Sequence, residues 1–217
     1  MIDSATDQDK IVFFIIKIEP ERVLDFETLF QNSNPVYLEI GSGKGEFISE
    51  YSLLHPEWNF IGFELKQKRI DITLRKLDIS KHKNVRLASF MIDSAIEKII
   101  PVDSVTGIFI QHPDPWPKRK HFKRRLVQQD FLDALSKIIK PGGFIQVSTD
   151  HENYAQWIWK EFSIRKDFSP AVAKGISLMP LLDEHIITYY EREQRRLGFE
   201  PKHMLFEKQP LSTKTNS

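Results

Sequence analysis

Short apolar runs alternate with longer amphipathic stretches through the first two thirds of the chain. Five runs are rich in β-branched and aromatic residues and predict β-strands, over residues 36–40, 59–64, 84–91, 104–111 and 144–150. The stretches between them predict helices, the third of which would end before Pro101. The clearest helix is "LVQQDFLDALSKIIK", where Phe131, Leu135 and Ile138 share one face. This alternation predicts an α/β protein with a mostly parallel sheet covered by helices on both faces.

The two ends of the chain have weaker patterns. "IVFFII" at residues 11–16 predicts a strand or a segment packed against the main domain, and "HENYAQWIWKEFS" predicts another helix. Antiparallel strands are expected near residues 164–168 and 203–207, and the tail is expected to be frayed. The predicted organisation is an N-terminal extension, a main domain and a C-terminal tail, over residues 1–34, 35–208 and 209–217.

Composition limits the classes of protein to which this chain can belong. It has 217 residues, 41% of them hydrophobic, which suits one domain with a sizeable core. It has no cysteine, so disulfides, thiolate catalysis and cysteine-ligated zinc are excluded. The early apolar run is too short for a membrane span or a signal sequence, so a cytoplasmic protein is expected. Lys and Arg number 31 against 30 Asp and Glu, so attraction to nucleic acid requires local clustering of charge.

Acidic residues stand at or just after the carboxyl ends of four of the five predicted strands: Glu39, Glu64, Asp114 and Asp150. In an open α/β sheet, ligands bind beyond these strand ends, where the direction of the crossovers reverses. Four acids at such positions are more than solvation alone explains. They are therefore candidate ligand-binding residues.

The first strand runs into a glycine turn, "LEIGSGKGEF", in which Gly41, Gly43 and Gly45 are spaced G-x-G-x-G. The dinucleotide-binding fingerprint is G-x-G-x-x-G, and it holds a pyrophosphate at a helix N-terminus. Glu39 would repel a phosphate but suits an amino group, and the glycines let the backbone approach a nucleoside and an amino-acid tail. A tight strand-to-helix turn without a ligand is the alternative.

Glu64 could accept hydrogen bonds from both hydroxyls of a ribose, as the acid on the second strand of dinucleotide-binding folds does. The alternative is an ordinary exposed glutamate. A nucleoside with an amino-acid tail and a positive centre fits Glu39, the glycines and Glu64 together, and S-adenosylmethionine has all three features. A nicotinamide cofactor fits the fold but neither the glycine spacing nor Glu39.

The segment "QHPDPWPKRKHFKRRL" follows the fourth strand and joins an acid to a cationic run. Pro113 and Pro115 fix φ on both sides of Asp114 and hold it in one direction, as a binding or catalytic site requires. Trp116 could stack on a base or close the loop against the sheet. His112 is expected to be packed and neutral, although a histidine there could titrate near neutrality.

Six cations occupy eight residues at the end of this segment: Lys118, Arg119, Lys120, Lys123, Arg124 and Arg125. Each phosphate that they neutralised would release counterions and make binding sensitive to salt. Such a run is commonly a solvated face, but its position beside Asp114 favours RNA or DNA.

Five stretches occur in an order and spacing that resembles the bacterial tRNA (guanine-N7-)-methyltransferase family: "YLEIGSGKGEF", "FIGFE", "HPDPWPKRKHFKRRL", "FLDALSKIIKPGGFIQVSTDHENYA" and "TYYE". The resemblance covers about residues 25–191, and "PDPWPK" followed by "KRR" is its most specific part. It implies a class I methyltransferase fold, with a seven-stranded mostly parallel sheet and an antiparallel last strand. It also implies methyl transfer from S-adenosylmethionine to N7 of guanine 46 in the variable loop of tRNA.

The same resemblance implies roles for individual residues. Asp114 would lie where methyl transfer occurs, and Glu39, Glu64, Asp114 and the three glycines would contact the cofactor. The positions that match substrate contacts are Lys118, Asp150, Thr188 and Glu191. The positions that match RNA contacts are Lys120, Lys123, Arg124 and Arg125.

The chain departs from the family at the end of the third strand, where an acid usually faces the adenine amino group. Met91 falls at that position, and Asp93 is two residues late. We predict that Met91 lines the adenine pocket, and therefore contacts the cofactor, and that Asp93 starts a helix.

Three alternatives share part of this evidence. The first is a class I methyltransferase that acts on another RNA, a protein or a small molecule; for a protein or small-molecule substrate it would have the glycine turn and Glu64 without needing the basic run. A non-catalytic RNA-binding module would need the run but not the acids, and a nicotinamide oxidoreductase has the least support. No metal or membrane partner is expected, and the oligomeric state is left between a monomer and a weak dimer.

Overall fold

The structure, a computed structural model, describes residues 5–19 and 21–210. These residues form one eight-stranded sheet, with strands β1 to β8 at Ile15–Ile16, Val36–Ile40, Asn59–Phe63, Val85–Ala88, Val105–Gln111, Ile139–Thr149, Phe168–Pro170 and Lys202–Lys208. The strand order is β1-β4-β3-β2-β5-β6-β8-β7. Neighbouring strands from β1 to β6 pair in parallel, whereas β8 is antiparallel to both β6 and β7.

Seven α-helices accompany the sheet in the described part of the chain. Helices α1 to α7 span Asp7–Phe14, Phe26–Phe30, Glu46–Leu54, Gln67–Lys76, Gln129–Ile138, Glu152–Ser163 and Tyr189–Arg196. Two 3₁₀ helices span Ser94–Lys98 and Arg119–Arg124. The predicted alternation of strand and helix is confirmed, and so is the mostly parallel sheet with an antiparallel last strand.

The core lies on both faces of the sheet, as the period of two along a strand requires. In β2, Leu38 and Ile40 belong to a cluster that includes the α5 and α6 side chains. Tyr37 points the other way, into an aromatic cluster with Phe47, Phe60 and Phe109. Because β2 is buried along its whole length, any charged side chain on it lies in a low-dielectric setting.

The N-terminal extension adds an eighth strand to the seven that the family resemblance implies, in agreement with one of the two alternatives predicted for "IVFFII". Residues 11–14 of "IVFFII" are helical, because Thr6 and Asp9 form a capping box that begins α1. Only Ile15 and Ile16 are extended, and they pair with β4 at the edge of the sheet. The extension is therefore joined to the main sheet by backbone pairing.

Three further elements differ from the predictions. Strand β6 begins at Ile139 because that residue pairs with Val105 before a bulge, after which Phe144 pairs with Gly107. The third predicted helix is only the short 3₁₀ turn that begins after Asp93, and α7 was not predicted. The tail predicted from residue 209 lies mainly outside the described residues, although the backbone N–H of Gln209 donates to Asp167 O at 2.8 Å.

The topology places a crevice at the carboxyl ends of β2 and β5. The chain proceeds from β2 through β3 to β4 on one side and then returns to add β5 on the other side of β2. The connections that follow β2 and β5 therefore run in opposite directions. This leaves space for a ligand between the carboxyl ends of the two strands.

Candidate functional site

A cavity of about 350 Å³ occupies the crevice at the ends of β2 and β5. Its lining includes residues from the glycine turn, the loop after β5 and the start of α7, among them Glu39, Gly41, Gly43, Asp114, Thr188 and Tyr190. The structure thus brings Glu39 and Asp114 to the wall of one cavity, as expected of acids at neighbouring strand ends.

Glu39 is a buried carboxyl group that forms no ion pair within the part of the chain that the structure describes. Its side chain is 3% exposed, and Oε2 has no hydrogen-bond partner among the described residues. Burial raises the pKa of Glu39 to about 8, and the nearby carboxylates of Glu46 and Glu64 add to the effect. A cationic group entering the cavity would therefore be stabilised at this carboxyl.

Glu64 ties the end of β3 to the glycine turn. Its Oε2 accepts a hydrogen bond from the Gly43 N–H at 3.1 Å, and its Oε1 accepts one from the Lys66 N–H at 2.9 Å. Arg69 Nη1 lies 3.3 Å from Oε2. Glu64 is buried and contacts the turn directly, which differs from the alternative of an ordinary exposed glutamate.

Glycine is required at position 45 because the turn passes close to α4. Its φ is +73°, and a Cβ at this position would lie 2.2 Å from Thr73 Cγ2. A side chain would therefore force the turn away from α4 in addition to straining the backbone.

The loop after β5 presents Asp114 from a backbone with two unusual residues. His112 has φ +48° and Trp116 has φ +42°, values that side-chain-bearing residues adopt rarely. Together with Pro113 and Pro115, these residues enclose Asp114 on both sides. Such a conformation persists only where the surroundings hold it, and it is common at functional sites.

Asp150 lies behind this loop and contacts both His112 and α7. The Tyr190 hydroxyl donates to Asp150 Oδ2 at 3.3 Å, and His112 Nδ1 lies 3.5 Å from Oδ1. Burial raises the pKa of Asp150, but the contacts from His112, its own backbone and Tyr190 outweigh burial and hold that pKa below its usual value. Asp150 is therefore ionised at neutral pH, and the His112 ring is packed, as expected, against Tyr190 at 4.9 Å.

A second cavity of about 700 Å³ adjoins the first. Asp150, Asn153 and Phe199 line it, and Pro115 and Tyr190 line both cavities. The two cavities thus meet at the residue directly after Asp114.

Helix α7 supplies a wall that the strand pattern did not reveal. The Thr188 hydroxyl caps it by accepting from the Glu191 N–H at 3.2 Å, and Tyr189 and Tyr190 follow into the first cavity. The T-x-x-E spacing of a capping box was the signal in the sequence for this helix.

Glu191 lies beneath α7 rather than on a cavity wall. It is 1% exposed, with Oε2 2.9 Å from His185 Nε2 and Oε1 accepting from Arg195 Nε at 2.9 Å. Burial raises its pKa, but His185 and Arg195 outweigh burial and hold the pKa below its usual value. Neither cavity is lined by Glu191, so its predicted contact with substrate remains a prediction.

The basic segment divides into outward and inward cations. Lys118 precedes the 3₁₀ helix, and the exposed cations are Lys118, Arg119, Lys120, Lys123 and Arg124. Arg125, in contrast, is 2% exposed and donates to protein oxygens. The prediction that Arg125 faces RNA is therefore corrected, because a buried guanidinium cannot meet a phosphate at the surface.

Met91 and Asp93 follow β4. Asp93 accepts a hydrogen bond from the Ala95 N–H at 2.8 Å and caps the 3₁₀ helix, which confirms it as a helix-start residue. Met91 is 60% exposed and does not line the first cavity, so its contact with adenine remains a prediction.

Within residues 5–19 and 21–210, none of the helices has the length and apolar content that a membrane crossing demands. Over the same residues, no group of three or more His, Asp or Glu side chains is arranged to hold a metal ion.

Residues 33–204 match a family model described as "Putative methyltransferase". A tRNA (guanine-N(7)-)-methyltransferase of Nitrosospira multiformis is 31% identical over 187 residues, covering 86% of this chain and 80% of that protein. An enzyme of the same name from Hydrogenovibrio crunogenus is 31% identical over 188 residues, covering 87% of this chain and 78% of that protein.

Solved structures share the architecture at much lower identity. A variant of the 16S rRNA (adenine(1408)-N(1))-methyltransferase from Catenulisporales acidiphilia, with its cosubstrate S-adenosylmethionine, has a TM-score of 0.57. It is 17% identical, and the match covers 92% of this chain and 96% of that one. The likeness shows that this chain has the class I methyltransferase fold.

Proposed function

The chain belongs to the tRNA (guanine-N7-)-methyltransferase family, and we propose that it methylates N7 of guanine in tRNA with S-adenosylmethionine as the methyl donor. The expected target is guanine 46 of the variable loop, as the sequence resemblance implies. The observation that carries the proposal is that Glu39, buried and with no ion-pair partner among the described residues, shares one cavity with Asp114.

The residues of the first cavity fit S-adenosylmethionine. Glu39 has an unpartnered carboxyl oxygen that suits the cofactor's amino group, and Gly41 and Gly43 leave the cavity wall open. Glu64, joined to Gly43, would accept hydrogen bonds from the ribose. When bound there, S-adenosylmethionine supplies an electrophilic methyl group on a positively charged sulfur.

Methyl transfer requires that the protein align guanine N7 with the methyl group and stabilise the charge that develops on the purine. Guanine N7 carries a lone pair and no proton, so no general base is needed to create the nucleophile. The walls of the site would hold N7 in line with the methyl group, which is catalysis by proximity. Asp114 would stabilise the positive charge that develops on the purine during transfer.

Asp150 and the second cavity suit the guanine base. Asp150 is held ionised, so it could accept hydrogen bonds from guanine N1–H and the exocyclic amino group. Adenine lacks both donors at these positions, so this contact would favour guanine. Pro115 and Tyr190 line both cavities, which supports a path for the methyl group between them.

The outward cations Lys118, Lys120, Lys123 and Arg124 would hold the phosphate backbone of tRNA. Phosphate contacts position a nucleic acid without reading its sequence. Choice of the target guanine would then come from the shape of tRNA and from the base pocket. The cytoplasmic location, the division at residues 34 and 208, and a monomer or weak dimer remain proposals.

Nucleoside analysis tests the function directly. Purified protein would be incubated with bulk tRNA and S-adenosylmethionine labelled in its methyl group, followed by digestion to nucleosides. We expect the label in 7-methylguanosine. A transcript with adenine at position 46 is the matched control and should accept no label.

Each alternative gives a different result in this assay. Label in another nucleoside, or only in protein or small molecules, would point to a different class I methyltransferase. Binding of tRNA without binding of S-adenosylmethionine would favour an RNA-binding module. Failure to bind either S-adenosylmethionine or tRNA would leave the nicotinamide alternative.

A further inference from the structure

Arg125 differs from the other cations of its segment in what surrounds it. Its guanidinium carbon lies 3.8 Å from the ring centroid of Phe122, 4.9 Å from Tyr154 and 5.0 Å from Trp157. Aromatic faces on several sides stabilise a cation that has left water. Arg125 is therefore part of the protein interior and is stabilised there by aromatic rings.

The polar contacts of Arg125 join the Asp114 loop to α6. Its Nε donates to the Pro115 carbonyl oxygen at 2.9 Å, and its Nη2 donates to Asn153 Oδ1 at 2.7 Å. Pro115 follows Asp114 directly and lines both cavities, and Asn153 lines the second. One planar side chain thus connects the loop that carries Asp114 with the helix beside the second cavity.

The loop needs such a connection because its backbone is held in unfavourable conformations at His112 and Trp116. A left-handed conformation at a residue with a side chain is unfavourable and persists only if other contacts enforce it. Nothing in the run "KRR" tells which of its cations supplies the contact. The structure singles out Arg125, since Lys123 and Arg124 remain exposed.

We propose that Arg125 is a positioning residue for methyl transfer: it fixes Asp114 and Pro115 against α6 at the junction of the two cavities. This inference rests on the proposed function, because the positioned group is the proposed catalytic carboxylate. Arg125 itself would touch neither the cofactor nor the tRNA.

The test compares Arg125→Lys and Arg125→Met with wild type, with activity expressed per cofactor-binding site. Turnover at saturating tRNA should fall by about 10²-fold in both variants, because a misplacement of about 1 Å has such effects. The KM for tRNA and its dependence on salt should not change. Lysine should not rescue turnover, because it keeps the charge but cannot reach two acceptors with one planar group.

The matched comparison is Lys120→Ala with Lys123→Ala, which removes two outward cations from the same segment. These changes should raise the KM for tRNA and flatten its salt dependence while turnover at saturation is kept. If the Arg125 variants behave in this second way, Arg125 binds RNA and the proposal is overturned. Full recovery of turnover in Arg125→Lys would also overturn it, because charge alone would then suffice.

Two further measurements separate positioning from a general loss of stability. Asn153→Ala should lower turnover, and its effect should not add to that of Arg125→Met, because both remove the same connection. Amide hydrogen exchange in residues 113–125 should be faster in Arg125→Met than in wild type. Additive effects with unchanged exchange in this segment would overturn the proposal.

The exchange experiment needs no substrate, so it distinguishes failure of this inference from failure of the proposed function. If wild type does not methylate tRNA but exchange still rises in residues 113–125, the function is wrong and the role of Arg125 in holding the loop stands. If wild type is active and the variants match it, only the inference fails.

Discussion

The two sides of the first cavity are held in different ways. The glycine-turn side, with Glu39 in the wall and Glu64 bonded to the turn, is built from adjacent parallel strands and from contacts within about one strand–helix–strand unit. The Asp114 side is an exposed loop with left-handed residues, and it is held by Arg125 and bordered by α7. The first side belongs to the sheet, whereas the second depends on elements that come later in the chain.

Because they are held differently, the two sides of the cavity suit different ligands. Buried acids at fixed strand ends favour a constant environment for a cationic ligand, which suits a cofactor. A loop held by side chains from remote helices can be aligned to a large substrate. Substitutions on the first side should therefore change cofactor binding, and those on the second side should change turnover and tRNA binding.

The largest effect is expected from Asp114→Asn, which keeps the shape of the side chain and removes its charge. Turnover on tRNA should fall on the order of 10²-fold, because the developing charge on guanine loses its counter-charge. Steady-state kinetics with saturating tRNA measures the change. Asp133→Asn, a carboxyl that is 63% exposed on α5, is the matched control. Near wild-type turnover in Asp114→Asn would rule out this role for Asp114.

Glu39→Gln should act on the other side of the cavity and weaken cofactor binding by roughly 10- to 100-fold. In wild type, Glu39 has a pKa of about 8 before binding and would ionise beside the amino group, so binding should release about one proton near neutral pH. Calorimetry in two buffers of different ionisation enthalpy measures this release. Glu50→Gln, at an exposed position of α3, should behave like wild type. Equal proton release in wild type and Glu39→Gln would exclude Glu39 as its source.

The outward cations should govern the strength of tRNA binding and its salt dependence, but not turnover at saturating tRNA. Replacing Lys120 and Lys123 by alanine should lower the slope of log affinity against log salt by roughly 0.7–0.9 for each phosphate that these lysines neutralise. Lys81 and Lys83, which are exposed and precede the amino end of β4, form the control pair. Binding measured from low to moderate salt decides the point, and equal slopes for both pairs would make the segment a solvated face.

A smaller effect concerns stability without cofactor. Glu39 has an ordinary pKa of 4.5 in the unfolded chain and about 8 in the folded chain, so between these values only the folded chain binds the proton. The stability of wild type therefore falls as pH rises through this range. As pH rises, the Tm of Glu39→Gln should increase relative to that of wild type. The increase should be about 2–4 °C for each kcal/mol by which the free energy of unfolding of wild type falls. Melting curves at about pH 5 and pH 8 measure this change. If the pKa of Glu39 were not raised, the difference in Tm between the two proteins would be the same at both pH values.

Much of the cofactor side could be predicted because its evidence is local. Glu39 and Glu64 stand at the ends of recognisable strands, and parallel strands bring their carboxyl ends to one edge. Asp114 followed from the same rule, and its flanking prolines are visible in the sequence. The positive φ values of His112 and Trp116 could not be predicted, because they depend on contacts made elsewhere.

Charge patterns were less informative, since a run of cations does not show which side of a helix will be buried. Lys123 and Arg125 are equivalent in charge, yet one is exposed and the other lies among aromatic rings. The apolar run "IVFFII" likewise does not show its own secondary structure. Most of it is helical because a capping box before it begins a helix.

The sequence by itself determined the alternation of the central strands with helices, the acids at the strand ends and the family, because these follow from short-range periodicity and motif spacing. The tertiary structure alone decided that Arg125 turns inward and that Tyr190 and Pro115 separate two cavities. Those outcomes depend on burial against α6 and α7, and burial is a property of elements distant in sequence that meet only in the fold.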